Sequence, residues 1–138
     1  MRDAVKKCAR HPAVFAFSVV NKIPPDVVRW SGAARVADFI DELALEARRV
    51  DPDCLCTFTN YPPTEFLHPR NLDFLCFNVY LHQRPTLEAY LARLQTLAGS
   101  RPLVLWDARV KAADLDAIIM ATCTADYLMP SSACVLED

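Results

Sequence analysis

Apolar residues gather in short continuous runs along this chain, and longer periodic stretches separate the runs. Ala13-Val14-Phe15-Ala16-Phe17-Ser18-Val19-Val20 is almost wholly apolar. Such a run marks a strand covered on both faces in a parallel sheet. Residues 54–59, 74–80 and 102–106 repeat the pattern in shorter form. Between them lie helical periods. Residues 2–10 read as a helix end stopped by His11-Pro12, because a residue before proline avoids the α region. Residues 32–49 read as a helix with Ser31 as N-cap, and Val36, Phe39, Ile40, Leu43 and Ala47 form its apolar face. Residues 86–98 read as another, capped by Thr86, faced by Leu87, Tyr90, Leu91, Leu94 and Leu97, and closed by Gly99 at C′. Thr64 to His68 suggest one helical turn, and a further helix is expected over about 109–121.

Strands alternating with helices predict an α/β fold with a parallel sheet. Four strands in this order suit a small doubly wound domain or a slice of a (β/α)₈ TIM barrel, and periodicity does not choose between them. The chain has 138 residues, the size of one domain, whereas a complete barrel takes roughly 250 residues. No internal repeat or linker divides it. Ten prolines against two glycines predict that proline and asparagine, rather than glycine, punctuate the fold.

Composition narrows the function classes. A net charge of -2 without a basic face gives no reason to expect nucleic acid. The longest apolar run is too short to span a bilayer, and residues 1–7 lack a signal-peptide apolar stretch, so no membrane partner and a cytoplasmic location are expected. The six cysteines include no C-x-x-C pair, and Cys56 and Cys76 read as small core hydrophobes. His11, His68 and His82 are far apart in sequence, so neither a metal nor a cofactor is expected.

In either α/β architecture, functional residues lie at the C-terminal ends of strands. Those ends carry Asn21-Lys22, Asn60-Tyr61, Asn78-Val79-Tyr80 and Trp106-Asp107. Amides and carboxylates can hydrogen-bond sugar hydroxyls, and aromatic rings can stack on a pyranose face. For each residue alone a plainer role competes: Asn60 and Asn78 would cap turns, and Tyr80 would pack.

These strand ends resemble those of glycoside hydrolase family 2 and its clan of retaining enzymes. Ser18-Val19-Val20-Asn21-Lys22-Ile23-Pro24, preceded by His11-Pro12-Ala13-Val14-Phe15-Ala16-Phe17, is similar to the fourth-strand motif of that clan. There an asparagine is followed by the acid/base glutamate. Thr59-Asn60-Tyr61-Pro62-Pro63 and Phe77-Asn78-Val79-Tyr80 are similar to the fifth and sixth strand ends of a bacterial branch. In that branch a glycosidase-like barrel can be joined to a glycosyltransferase domain. Pro102-Leu103-Val104-Leu105 looks like the seventh strand. The resemblance covers residues 1–107 and implies strands 4 to 7 of a TIM barrel, with a divergent tail over 108–138.

The resemblance also implies roles. Asn21 would contact the sugar 2-hydroxyl, and Asn60, Tyr61, Asn78, Tyr80 and Trp106 would line the substrate site, with Tyr80 orienting the nucleophile. Lys22 stands at the acid/base position and Asp107 at or near the nucleophile position. A retaining glycosidase needs two carboxyl groups roughly 5–5.5 Å apart, and lysine holds its proton at neutral pH. The implied activity, hydrolysis of O-glycosidic bonds, is therefore expected to be lost. Lys22 and Asp107 could pair across the old site. The alternative is a non-catalytic carbohydrate-binding or interaction module, and a Schiff-base lysine enzyme using Lys22 is the third reading. Open strand edges predict association with a second copy or with the missing barrel half.

Overall fold

A computed structural model describes residues 1–81 and 83–108, with Asp107 and Ala108 described in backbone alone. The helix expected over 109–121, the tail to residue 138 and His82 lie outside the described residues. The described chain is a mixed α/β fold: α1 (Arg2–Cys8), β1 (Phe17–Asn21), α2 (Pro25–Ser31), α3 (Ala33–Val50), β2 (Cys56–Asn60), β3 (Leu75–Val79), α4 (Arg84–Ala98) and β4 (Leu103–Ala108). A 3₁₀ turn occupies Pro62–Thr64. The four strands form one parallel sheet in the order β1-β2-β3-β4.

Register assigns the faces of this sheet. Phe17 lies beside Cys56, Asn60 beside Phe77, and Phe77 beside Leu105. Paired residues point to the same side of a sheet, and side chains alternate along each strand. Phe17, Val19, Cys56 and Phe58 therefore share a face with Phe77 and Val79. The first four pack with Val36, Ile40, Ala44 and Ala47 of α3, together with Val5 of α1 and Val28 of α2. Phe77 and Val79 pack with Leu94 of α4. The described helices that cover the sheet thus lie on one side of it. Ser18 beside Thr57, and Thr59 beside Cys76, look the other way.

The stripe Val36, Ile40, Ala44 and Ala47 recurs at helical spacing, and Ile40, Ala44 and Ala47 are fully buried. Burying a side chain the size of Ile40 contributes about 1.5–3 kcal/mol. Phe39, expected on that face, is half exposed instead. It lies one position from Ile40, which turns it toward the flank of the helix.

Several boundaries differ from expectation. Pro25–Ser31 form a helix, although Pro24-Pro25 reads as a loop in the sequence. Pro25 sits in its first turn with φ already set for helix, and Val28 anchors it in the core. Ser31 is therefore the last residue of α2 and does not cap α3. Gly32 at φ 89° ends α2 and begins α3, a backbone state that favours glycine. Gly99 at φ 62° ends α4. Gly99 thus closes its helix as expected, and Gly32 punctuates α2 and α3 although the scarcity of glycine predicted that proline and asparagine would do so. Helix α4 begins at Arg84 and not at Thr86, because Pro85 is pre-organised for the first turn. Strand β1 begins at Phe17, since residues 12–13 turn on a hydrogen bond from the Ala13 N–H to His11 Nδ1.

The long connection from β2 to β3 is tied down by charge. The buried Asp41 carboxylate of α3 accepts from the backbone N–H groups of Arg70 (2.9 and 3.0 Å) and Asn71 (2.8 Å). Arg48 donates to the Asn71 carbonyl (2.8 Å) and to Asp73 Oδ2 (2.7 Å), which also accepts from the Cys56 N–H. Glu65, after the 3₁₀ turn, accepts from Arg93 and from the Tyr90 hydroxyl of α4. Arg93 holds the Glu65 carboxyl below its ordinary range.

Candidate functional site at the C-terminal ends of the strands

Parallel strands bring their C-terminal ends to one rim of the sheet. Strand β1 delivers Asn21 and Lys22 there with a local irregularity. Its register with β2 shifts between Ser18 and Asn21, and Lys22 follows at φ 47°. A bulge re-aims the side chains that follow it, and a non-glycine residue in the left-handed region costs energy that neighbouring bonds must hold. The Lys22 N–H donates to the Thr59 carbonyl (2.9 Å), so β2 fixes this conformation.

The Lys22 ammonium donates to the Tyr80 hydroxyl at 3.1 Å and lies 5.6 Å from the centre of the same ring. It therefore sits toward the hydroxyl end of the phenol. Both side chains are exposed. Beside them, buried Asn78 donates from Nδ2 to Asn21 Oδ1 (3.2 Å) and to the Asn60 carbonyl (3.3 Å). Asn21, Lys22, Asn78 and Tyr80 thus meet as one group.

Asn60 is used differently. Its Nδ2 donates to the Thr64 carbonyl (3.0 Å), while its Oδ1 accepts from the Tyr61 N–H (2.9 Å) and the Thr64 hydroxyl (2.7 Å). This is the turn-forming behaviour of asparagine, and it occupies the side chain that the resemblance assigned to substrate. Tyr61 leads into that turn, half-buried. Trp106 packs with Ala16, Phe74, Cys76 and Val104 on the face away from the helices. Asp107 lies in register with Asn78, which brings its backbone to the rim. Its side chain, and so its pairing with Lys22, is outside what the structure describes. The described partner of Lys22 is Tyr80.

Below the rim runs a row of small polar groups that sequence reading missed. Ser18 Oγ donates to the Val20 carbonyl (3.0 Å) and is 2.6 Å from Thr59 Oγ1, which is 3.7 Å from Cys76 Sγ. Thr57 Oγ1 donates to the Phe74 carbonyl (2.9 Å). All four residues are buried. Burial pushes the Cys76 thiol up to about 11 and the Cys56 thiol, on the helix side, up to about 12. Their signal was the alternation Thr57, Thr59 and Cys76, Asn78 at period two, hidden inside runs that read as apolar.

Among the described side chains the group of Asn21, Lys22, Asn78 and Tyr80 holds one ammonium, one phenol and two amides, and no pair of carboxyl groups. Among the described residues no group of three or more His, Cys, Asp or Glu could hold a metal ion, and no helix is long and apolar enough to cross a membrane. No protein-family model, curated protein or solved structure matches the chain significantly.

Proposed function

We propose that this chain is a slice of a (β/α)₈ barrel of glycosidase type, about strands 4 to 7, that binds carbohydrate at its strand ends without hydrolysing it. The observation that carries the reading is the contact between Lys22 and Tyr80 beside the Asn21–Asn78 bridge. An amide-lined rim with an aromatic ring suits sugar hydroxyls. The position next to Asn21, where a retaining glycosidase of the resembling clan holds its acid/base carboxyl, carries an ammonium instead. Lysine cannot readily serve as the base that activates water in the second step of a retaining mechanism.

Sheet order supports the barrel part of the reading. A doubly wound sheet reverses its strand order at a switch point and carries helices on both faces. Among the described residues the order is strictly sequential and the covering helices share one face, as in a segment of a barrel wall. Strands from elsewhere, or a second copy of this chain, would complete the ring.

The test is hydrolysis of aryl β-glycosides by the parent and by Lys22→Glu, alongside binding of the same glycosides followed by NMR. Binding without turnover in the parent is the expected result. Turnover by the parent would overturn the loss of catalysis, and absence of binding in both proteins would overturn the carbohydrate reading. Turnover gained by Lys22→Glu would add support for descent from a retaining glycosidase.

A further inference from the structure

Two cysteines meet at the end of the sheet opposite the rim. One residue separates Cys54 from Cys56, and extended chain sends side chains two apart to the same side. Their sulfurs lie 3.6 Å from each other. A disulfide brings sulfurs to about 2.05 Å, so closing the bond takes a movement of about 1.5 Å. Cys56 is the fixed partner. It is fully buried and stands in register with Phe17, its N–H donates to Asp73 Oδ2 (2.7 Å), and its sulfur lies 3.9 Å from the Ala44 carbonyl. Cys54 precedes β2 and is half-buried, so it is the sulfur that solution reaches and that can move. Burial raises both thiols, Cys56 to about 12, while the bond from Cys56 and the charge of Arg48 oppose the rise at Cys54. Cys54 is thus the first of the pair to become a thiolate, with Cys56 holding a proton beside it.

We propose that Cys54 and Cys56 form a dithiol site that exchanges with small-molecule disulfides of the glutathione type and closes into a reversible Cys54–Cys56 disulfide. The site is independent of the rim and of the carbohydrate reading. In the first step the Cys54 thiolate attacks one sulfur of the small disulfide. A mixed disulfide forms on Cys54, and the expelled thiolate takes a proton from water. In the second step Cys56 Sγ attacks Cys54 Sγ. The new S–S bond forms as the mixed disulfide breaks, and the Cys56 proton leaves with the second small thiol. The chain gives up two electrons and two protons, and the small disulfide is reduced to two thiols. Cys56 therefore needs no access of its own, because its attack is internal. A ring closed over one intervening residue is strained, so excess thiol reopens it.

The full chain, reduced and folded, is incubated with excess glutathione disulfide, quenched with acid, unfolded, alkylated and digested with trypsin. Cleavage after Arg49 and Arg70 leaves Cys54 and Cys56 as the two cysteines of one peptide, residues 50–70. Mass spectrometry of that peptide is expected to show an internal disulfide in place of two alkyl groups, and reduced glutathione in excess should restore both alkylation sites. Cys56→Ala removes the internal attack and should hold about tenfold more glutathione on Cys54 than the parent does. Cys54→Ser should carry neither a disulfide nor glutathione in this peptide. Circular dichroism melts check that both variants fold, and the parent's own peptide map decides the case if either does not. Two alkyl groups on the parent peptide after oxidation would overturn the proposal. So would a bond from Cys54 to Cys8, to Cys76 or to a second chain. Glutathione found on Cys56 in Cys54→Ser would overturn the order of the two steps.

Discussion

Asn78 joins stability to the set of the rim, and its removal should be felt in both. The side chain is 1% exposed and makes two hydrogen bonds from one nitrogen, at 3.2 and 3.3 Å. Bonds of that length contribute about 1 kcal/mol each, and the amide volume left empty in Asn78→Ala adds a cavity term. A loss of about 2–3 kcal/mol is expected, which for a chain of 138 residues lowers Tm by about 6–10 °C. Asn78→Asp separates the hydrogen bonds from the packing. It keeps the shape but turns oxygen onto the Asn60 carbonyl and Asn21 Oδ1. The ionised form is desolvated and repelled, so folding raises that carboxyl above the ordinary aspartate value of about 4. A raised folded value means stability present below the unfolded value and lost as pH rises. The variant should therefore approach the parent near pH 4 and fall well below it at pH 7. Thermal melts followed by circular dichroism across that range, with the parent measured at each pH, give both numbers. A shift in Asn78→Ala below about 2 °C, or a pH curve for Asn78→Asp parallel to the parent's, would refute the reasoning.

Three further outcomes follow from contacts away from the rim. Asp41→Ala leaves the Arg70 and Asn71 N–H groups without their carboxylate and should cost about 2–3 kcal/mol in urea unfolding, with Asp41→Asn recovering only part. The Glu65 carboxyl is held low by Arg93, so its contribution is present above the unfolded value and lost as pH falls through the folded one. Glu65→Gln should accordingly flatten the acid limb of the stability curve below about pH 4.5, an effect kept small by the exposure of Arg93. In native protein at pH 8, Cys56 and Cys76 should resist alkylation while the half-buried Cys8 reacts, as mass spectrometry of the labelled chain can read. At higher pH the unfolded thiols ionise first, near 8.5, so stability should decline from there toward about 12.

The order of elements was legible because the periodicities are strong. Continuous apolar runs became strands, and the spacing Val36, Ile40, Ala47 became a buried stripe. The residues of the rim were legible because parallel strands always deliver their C-terminal ends together. The rest required three dimensions. Helix α2 was hidden by Pro24-Pro25, which reads as a breaker although Pro25 serves as a helix start. The turn role of Asn60 competes with a ligand role that the same residue type could serve, and only its bonds to Tyr61 and Thr64 decide it. The bulge in β1 that sets Lys22 has no local signature, because it arises from pairing with β2. The side chain of Trp106 was expected at the rim, but it packs with Ala16 and Phe74 on the face of the sheet away from the described helices.

The strictly sequential strand order also bears on how the chain acquires its shape. Among the described residues each strand pairs with the strands before and after it in sequence, so each pairing waits only for the next strand. Each parallel pairing still closes a crossover loop, as Phe17 with Cys56, Thr59 with Cys76 and Leu75 with Leu103 do, so it forms more slowly than a local hairpin and leaves its edge exposed meanwhile. On the ribosome, β1 and α3 could dock as soon as β2 emerges, and each later strand would add to an edge already in place. The same open edge that lets the sheet grow is a surface on which a second nascent chain could add by mistake. The speed of adding the next strand would then govern yield as much as final stability does.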